Sequence, residues 1–251
     1  MLTQEEYRSY CSRFRRVVGW LRMNSKPSME VANEICALRG YYPERMLSIL
    51  EEAGFMYITD ESCYSKLINA GEDLALFKDG KFLLAGRYIF PVRDMLGNVV
   101  ALIGWFPDDK KYVTTPSKLF SKSCLYYGLE QISKVGINKD AILVEGIFDC
   151  LSVRSLGLTC YAEMGSTTSR YKTSLYSLFK RVLAIPDNDA VGKSIIQKDS
   201  WNLPLNGRYL LWSGNEIKDI DNLCNLYEYE DIKEEILAAF NSKERVYKIL
   251  L

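Results

Sequence analysis

Apolar residues recur at helical spacing over residues 3–22, where Tyr7, Tyr10, Cys11, Phe14, Val17, Val18 and Leu21 share a face. Arg8, Arg13, Arg15, Arg16 and Arg22 lie on the other faces of this predicted helix. Ser25-Lys26-Pro27-Ser28 breaks the pattern, and Ser28 is placed to cap a second helix that runs to about Leu38 and closes at Gly40. Pro43 in the first turn and Gly54 beyond the last bound a third helix over 43–53. The period then shortens to that of strands, predicted at 74–77, 82–84, 87–92, 99–105 and 111–114, with turns at Asp79-Gly80 and at Leu96-Gly97-Asn98.

From Glu130 onward strands and helices alternate. Strands are predicted at 141–144, 159–163, 181–185 and 207–212, and helices at 147–156, 169–179, 190–199 and 230–240. Such alternation implies βαβ units and a mainly parallel sheet. The expected fold class is α/β, an α+β N-terminal subdomain followed by a parallel-sheet subdomain, with a boundary near residue 137. In full, the pattern divides into a helical region 1–60, a mixed part 61–136, the parallel-sheet part 137–225 and a helical segment 226–251.

Three of the apolar runs, or their aftermath, end in carboxylates. These are Ala141-Ile-Leu-Val-Glu145-Gly-Ile-Phe-Asp149, Ala184-Ile-Pro-Asp187-Asn188-Asp189 and Lys218-Asp219-Ile-Asp221. An open parallel sheet delivers its C-terminal strand ends to one crevice, so three such ends gather five or six acids. Gathered carboxylates repel one another unless a cation sits among them, and oxygen ligands suit Mg²⁺ or Mn²⁺. A single acid after a strand is more often just a helix cap. Three in order within one βαβ half point to metal-dependent phosphate chemistry.

Composition narrows the chemistry. None of the 7 cysteines in the 251 residues stands at Cys-x-x-Cys spacing and histidine is absent, so no zinc site is expected. The missing histidine also removes every Ser-His or Cys-His nucleophile pair. Formal net charge is zero, so a nucleic-acid partner would need a local basic patch. No run approaches the roughly 18 apolar residues of a membrane span, and the N-terminus has no signal-like segment. A cytoplasmic location is expected.

Val-Glu145-Gly-Ile-Phe-Asp149, Pro-Asp187-Asn-Asp189-Ala-Val-Gly-Lys193 and Lys-Asp219-Ile-Asp221 resemble the motifs of a TOPRIM domain. Upstream, Gly86-Arg87-Tyr-Ile-Phe-Pro-Val92 with Gly97-Asn-Val-Val is similar to the Arg-x-x-Phe-Pro-Ile strand and glycine turn of bacterial-type (DnaG) primases. Lys111-Tyr-Val-Thr-Thr-Pro116, Leu119-Phe-Ser-Lys122 and Leu125-Tyr-Tyr-Gly-Leu129 resemble a further primase block, and Gly165-Ser-Thr-Thr168 its Gly-Thr-Ser loop. The likeness covers about 70–240 and singles out the primase catalytic core within the TOPRIM superfamily. Its fold would be a Rossmann-like, mainly parallel TOPRIM sheet after the mixed subdomain.

The resemblance implies roles. Glu145 takes the place of the family's catalytic glutamate, with Asp187 and Asp189 beside it. Glu145, Asp187, Asp189, Asp219 and Asp221 would hold Mg²⁺ or Mn²⁺, with Asp149 in the same acidic cluster. Arg87, Lys111 and Lys122 fall on basic positions that receive template and nucleotide phosphates, and Lys118 and Lys193 are counted with them. Tyr112, Tyr126 and Tyr127 stand among Lys110, Lys111, Lys118 and Lys122, a mixture that suits single-stranded nucleic acid; tyrosines of an ordinary core would look the same, so the lysines carry this reading. The implied activity is synthesis of short RNA primers from ribonucleoside triphosphates on single-stranded DNA. A replicative helicase is the implied partner, in a bacterial or phage-infected cytoplasm.

Departures are Trp105 where the family usually has arginine, Thr114 for asparagine, Val191 for alanine, and no zinc-binding module ahead of the core. Small primases of this kind are expected of phages. Two alternatives use the same features: a TOPRIM nuclease, and a non-catalytic accessory that binds single strands or a helicase.

Overall fold

A computed structural model describes residues 2–59, 64, 67, 74–108, 111–115, 119, 121, 123–164, 168–213 and 216–249, with the backbone alone at Lys111. The chain divides into two compact units, Met1–Ser121 and Lys122–Leu251. The division falls ahead of the point near residue 137 where alternation begins. Tyr126, Leu129 and Ile132 precede the first parallel strand yet pack in the second core, and periodicity cannot assign such a lead-in segment to a core.

The first unit opens with α1 (Gln4–Asn24), α2 (Ser28–Arg39) and α3 (Pro43–Ala53). Thr3 caps α1 in a reciprocal box with Glu6. Ser28 proves to be the first helical residue of α2 and not its cap: Pro27 holds that place, and the Ser28 hydroxyl donates to Glu51 at 3.1 Å. A short hairpin follows, β1 (Phe77–Lys78) and β2 (Lys81–Phe82), turned by Gly80 at φ +73°. Strands β3 (Tyr88–Arg93), β4 (Val99–Phe106) and β5 (Lys111–Thr114) form an antiparallel sheet in the order β3-β4-β5. Phe14, Val17, Val18 and Leu21 of α1 are buried against Met56, Ile89 and Leu102. Trp105, where arginine was expected, sits opposite Tyr88 in the β3–β4 register with ring centroids 5.6 Å apart. Its indole joins the core, which a cation could not do at that position without a partner.

The second unit contains α4 (Gln131–Val135), β6 (Lys139–Val144), α5 (Ile147–Ser155), β7 (Cys160–Ala162) and α6 (Arg170–Ser174). After a 3₁₀ turn at Leu175–Leu178 come β8 (Phe179–Ile185), α7 (Ala190–Lys198), β9 (Arg208–Trp212), α8 (Ile220–Leu226), α9 (Tyr229–Asn241) and β10 (Val246–Ile249). The five strands pair in parallel in the order β10-β9-β8-β6-β7. Alternation along the strands sends Ala141, Leu143, Val182, Ala184 and Tyr209 to the face covered by Tyr126, Ile195 and Trp201. Ile142, Val144, Leu183, Ile185 and Leu210, all buried, point the other way, toward α5, α8 and α9.

The tail expected to belong to a helical segment instead contributes β10, which pairs with β9 from Val246↔Tyr209 to Ile249↔Trp212. Four residues with one lysine among them are too short a pattern to read as a strand; the exposed edge of β9 recruits them.

One buried ion pair sits beneath β7. Lys172 of α6 donates to the Glu163 carboxylate at 3.0 Å, and neither side chain reaches solvent. Burial pushes Glu163 up to about 7 against the pull of Lys172, and burial likewise lowers Lys172. Removing one partner strands the other charge in the core. Lys172→Met is expected to lower unfolding free energy by about 3–5 kcal/mol, read by urea denaturation. Adding Glu163→Gln should recover much of that loss. A single variant as stable as the parent would show that the pair carries no such load.

Candidate active site

The strand order places a topological switch point between β6 and β8. From β6 the chain passes through α5 to β7 on one side, and from β8 through α7 to β9 on the other. Ligand sites of open α/β sheets lie outside the carboxyl ends of such a pair. Val144 pairs with Ile185 as the last residues in register, so Glu145 and Asp187 leave the sheet side by side. The amide of Asp187 donates to Glu145 Oε1 at 3.1 Å, which fixes the glutamate at the crevice.

Each turn after a strand is built for close approach. A β-carbon on Gly146 would come within 2.4 Å of Asp149 Oδ2, the oxygen that accepts the Gly146 amide at 3.1 Å. One on Gly192 would overlap the Asp187 carbonyl oxygen at 1.7 Å. The first turn of α7 therefore lies directly against the backbone that carries Asp187. Asp189 caps α7, accepting from Val191 and Gly192 at 2.8 and 3.0 Å, and Asp219 caps α8 through Asn222 at 2.8 Å. The cap reading and the cluster reading hold together for these two acids.

The third acidic segment is tied to the second by Asn188, which is buried between the two aspartates. Its amide donates to the Lys218 carbonyl at 2.6 Å and its side chain to the Ile217 carbonyl at 3.4 Å. The Trp212 indole grips the same Ile217 carbonyl at 2.8 Å. Lys218, whose role the sequence did not disclose, reaches Asp187 Oδ2 at 3.3 Å. Burial works against its charge, but Asp187, Asp219 and Asp189 outweigh it and hold its pKa above the ordinary value.

The carboxylates bear the cost of being together. Burial, then Asp187 and Asp189, push Glu145 up to about 7. Burial, then Asp219, Asp221 and Asp187, hold Asp149 well above the carboxylate range. Asp187 is raised by burial and by Asp219, with Lys218 opposing. Asp221 is fully buried in the first turn of α8, where the Ser152 hydroxyl of α5 donates to it and its own amide donates to Asp149 Oδ1 at 3.3 Å. Its position is behind the cluster, where it braces α8 against α5. Ser152 escaped the sequence reading because a serine inside an apolar helix carries no signal until its partner is known.

The donor set is all oxygen, and Glu145, Asp149 and Asp187 are raised first by burial and then by one another's charge and that of their acidic neighbours, with Lys218 opposing at Glu145 and Asp187. That chemistry fits a hard divalent cation. Among the described residues no three acidic or cysteine side chains form a ready-made metal cage.

The basic candidates fare differently. Arg87 is half-buried, its guanidinium 5.5 Å from the Phe106 ring centroid, with Nη1 enclosed and without a hydrogen-bond partner. Lys193 is exposed on α7. Lys111 lies on β5 with its side chain outside the described residues, as are Lys118, Lys122 and the segment 165–167.

Residues 142–224 match the Toprim-like family model. The chain is 28% identical over 231 residues to the DNA primase of Aquifex aeolicus, covering 84% of this chain and 42% of that protein. It is 29% identical over 155 residues to the DNA primase of Clostridium acetobutylicum, covering 60% and 25%. The chain thus spans a quarter to two fifths of these curated relatives. Among solved structures, the Aquifex aeolicus primase zinc-binding and RNA polymerase domains superpose with a TM-score of 0.74 at 23% identity, covering 95% of this chain and 62% of that one. The DnaG catalytic core gives 0.70 at 17%, covering 92% and 82%, and the DnaG catalytic domain bound to single-stranded DNA gives 0.69 at 19%, covering 95% and 83%. The chain has the DnaG catalytic-core fold with a Toprim-like domain, and its sequence is similar to bacterial DNA primases.

Burial of Glu145, together with the charges of Asp187 and Asp189, has an effect on stability whose sign can be measured. Because its folded pKa of about 7 lies above the ordinary 4.5, ionisation costs stability. The cost is absent below pH 4.5, grows between the two values and is complete above pH 7. In metal-free buffer Glu145→Gln is expected to stabilise the protein by about 1 kcal/mol at pH 8, after allowance for solvent screening, and by nothing at pH 4. Thermal unfolding at the two pH values checks this; equal effects at both would show that ionising Glu145 carries no such cost.

Proposed function

We propose that this chain is the polymerising core of a DNA primase, joining ribonucleotides into short primers on single-stranded DNA. The observation that carries the reading is the meeting of Glu145 and Asp187 at the β6/β8 switch point, with Asp189 and Asp219 on the neighbouring turns. In the reaction the 3′-hydroxyl of one nucleotide attacks the α-phosphorus of the next, its proton leaves, and pyrophosphate departs. Glu145, at the crevice and held above the ordinary carboxylate range by burial and by Asp187, is the candidate group to accept that proton. The Asp187 amide fixes one of its oxygens, and Lys218 orients the Asp187 carboxylate.

Asp187, Asp189 and Asp219 are the oxygen donors for Mg²⁺ or Mn²⁺, with Asp149 and Asp221 completing the negative field around them. When bound, such an ion supplies positive charge to the phosphate oxygens. Arg87, Lys111, Lys118, Lys122 and Lys193 are assigned to template and nucleotide phosphates on their similarity to primase positions. A replicative helicase and a cytoplasmic setting belong to the same reading. Among the described residues no helix is long and apolar enough to cross a membrane.

The decisive experiment is incorporation of labelled ribonucleotides on single-stranded DNA of varied sequence, with and without Mg²⁺ or Mn²⁺. Short metal-dependent products are expected, and Glu145→Gln should reduce them by at least about 100-fold while the variant stays folded. Undiminished synthesis by that variant would remove Glu145 from the mechanism. Degraded template without products would indicate a nuclease, and binding without either reaction an accessory protein.

A further inference from the structure

Two arginines of the first unit converge on a glycine and meet no carboxylate among the described residues. Arg22 leaves the last turn of α1, and Arg93 is the last residue of β3. A β-carbon built on Gly54 would stand 3.2 Å from Arg22 Nη2 and 3.4 Å from Arg93 Nη2. Chain topology makes the meeting obligatory. Gly54 closes α3 in the left-handed region at φ +77°, and two residues later Met56 exchanges backbone hydrogen bonds with Ile89 of β3 at 2.7 and 2.8 Å. The end of α3 is thereby drawn along β3, and a register shift between Val92 and Arg93 re-aims the arginine.

Arg154, Arg181 and Arg245 each meet a carboxylate within 3.3 Å. Among the described residues Arg22 and Arg93 meet none. Both approach the same point beside Gly54, and burial of part of its side chain together with the Arg93 charge lowers the pKa of Arg22, which still reaches solvent. Like charges placed together without a counter-ion raise the free energy of the site until an anion arrives. Arg22 and Gly54 line a cavity of about 510 Å³ with Ser25, Lys26, Ser28 and Glu51, and Arg93 borders it at Gly54 without being part of its lining. Lys26 is already engaged by Glu34 and Glu30, and Glu51 accepts from Ser28. Ser25 Oγ accepts from the Tyr57 amide at 2.8 Å, which leaves its hydroxyl proton for a ligand.

We propose that Arg22 and Arg93, with Ser25, form a binding site for a phosphate group. Paired guanidinium forks match the tetrahedral oxygens of phosphate, whether carried by a DNA strand or by a free phosphoryl compound. The DNA source rests on the primase reading; the phosphate chemistry does not.

Two measurements on the full chain test the site. In the first, thermal unfolding is followed in inorganic phosphate and in chloride at equal ionic strength. Phosphate should raise the melting temperature of the parent, and Arg22→Gln, Arg93→Gln and the double variant should lose that rise. In chloride alone the variants should melt no lower than the parent, since a repulsion has been removed, which also shows that they fold. Arg22→Lys should keep part of the phosphate response through its charge. In the second, a labelled oligothymidylate is bound at increasing salt. If the strand is the source, each substitution should weaken binding severalfold and reduce the logarithmic salt slope by about 0.7. An unchanged slope with a lost phosphate response would assign the site to free phosphoryl compounds. A double variant that keeps the parent's response in both measurements would overturn the site. Absent primer synthesis with an intact phosphate response would count against the primase reading and leave this one standing.

Discussion

Mutual repulsion among carboxylates is the constraint around which the second unit is organised. Glu145, Asp149, Asp187, Asp189 and Asp219 are delivered to one edge by the parallel strands, and left alone they would spread apart. Backbone and cap hydrogen bonds prevent this. The Asp187 amide restrains Glu145, helix N-termini hold Asp189 and Asp219, and the Gly146 amide holds Asp149. Positive helix ends offset part of the charge. Lys218 offsets more, at a single carboxylate. Burial and the remaining repulsion hold Glu145, Asp149 and Asp187 above their ordinary pKa, a state from which a proton is readily accepted.

Much of this was legible in the sequence. The acids stand out because each follows a run whose apolar character demands a strand, and a parallel sheet has only one carboxyl edge. The α1 face, the caps of α3 and the strands β6 and β8 follow from periodicity and from glycine and proline placement. What stayed hidden depends on partners distant in sequence. Asn188 looks like a spacer between aspartates until its bonds to residues 217 and 218 are seen. Asp221 repeats the Asp-x-Asp spacing of Asp187 and Asp189, yet it falls inside α8 and turns to Ser152, because a helix sends residues i and i+2 in different directions. The strand β10 is invisible because its pairing with β9, not its composition, makes it a strand. The arginine pair at Gly54 lies outside every motif; it arises from the Met56–Ile89 bridge.

The two units solve their packing problems differently. In the first, a helix face and an antiparallel sheet close on a core rich in aliphatic residues, and aromatic pairs such as Tyr88 and Trp105 take up the space between strands. In the second, a two-faced sheet separates helices, and the Glu163–Lys172 ion pair is enclosed in the interior. In a chain with the DnaG core fold, the candidate acids stand on a sheet edge and Trp105 is absorbed into packing.

The all-parallel pairing of the five strands also governs how the site comes into being. No strand of that sheet can be joined to its neighbour by a hairpin, so every pairing waits for a crossover to close. The helices of the first unit need only local contacts and form on the microsecond scale, whereas sheets assembled from distant segments take milliseconds to seconds. Glu145 and Asp187 meet only after β6 and β8 have paired around an intervening β7, and Asp219 joins once β9 has docked beside them. The acidic edge therefore cannot assemble before these crossovers close, and its electrostatic burden falls on the sheet that they complete.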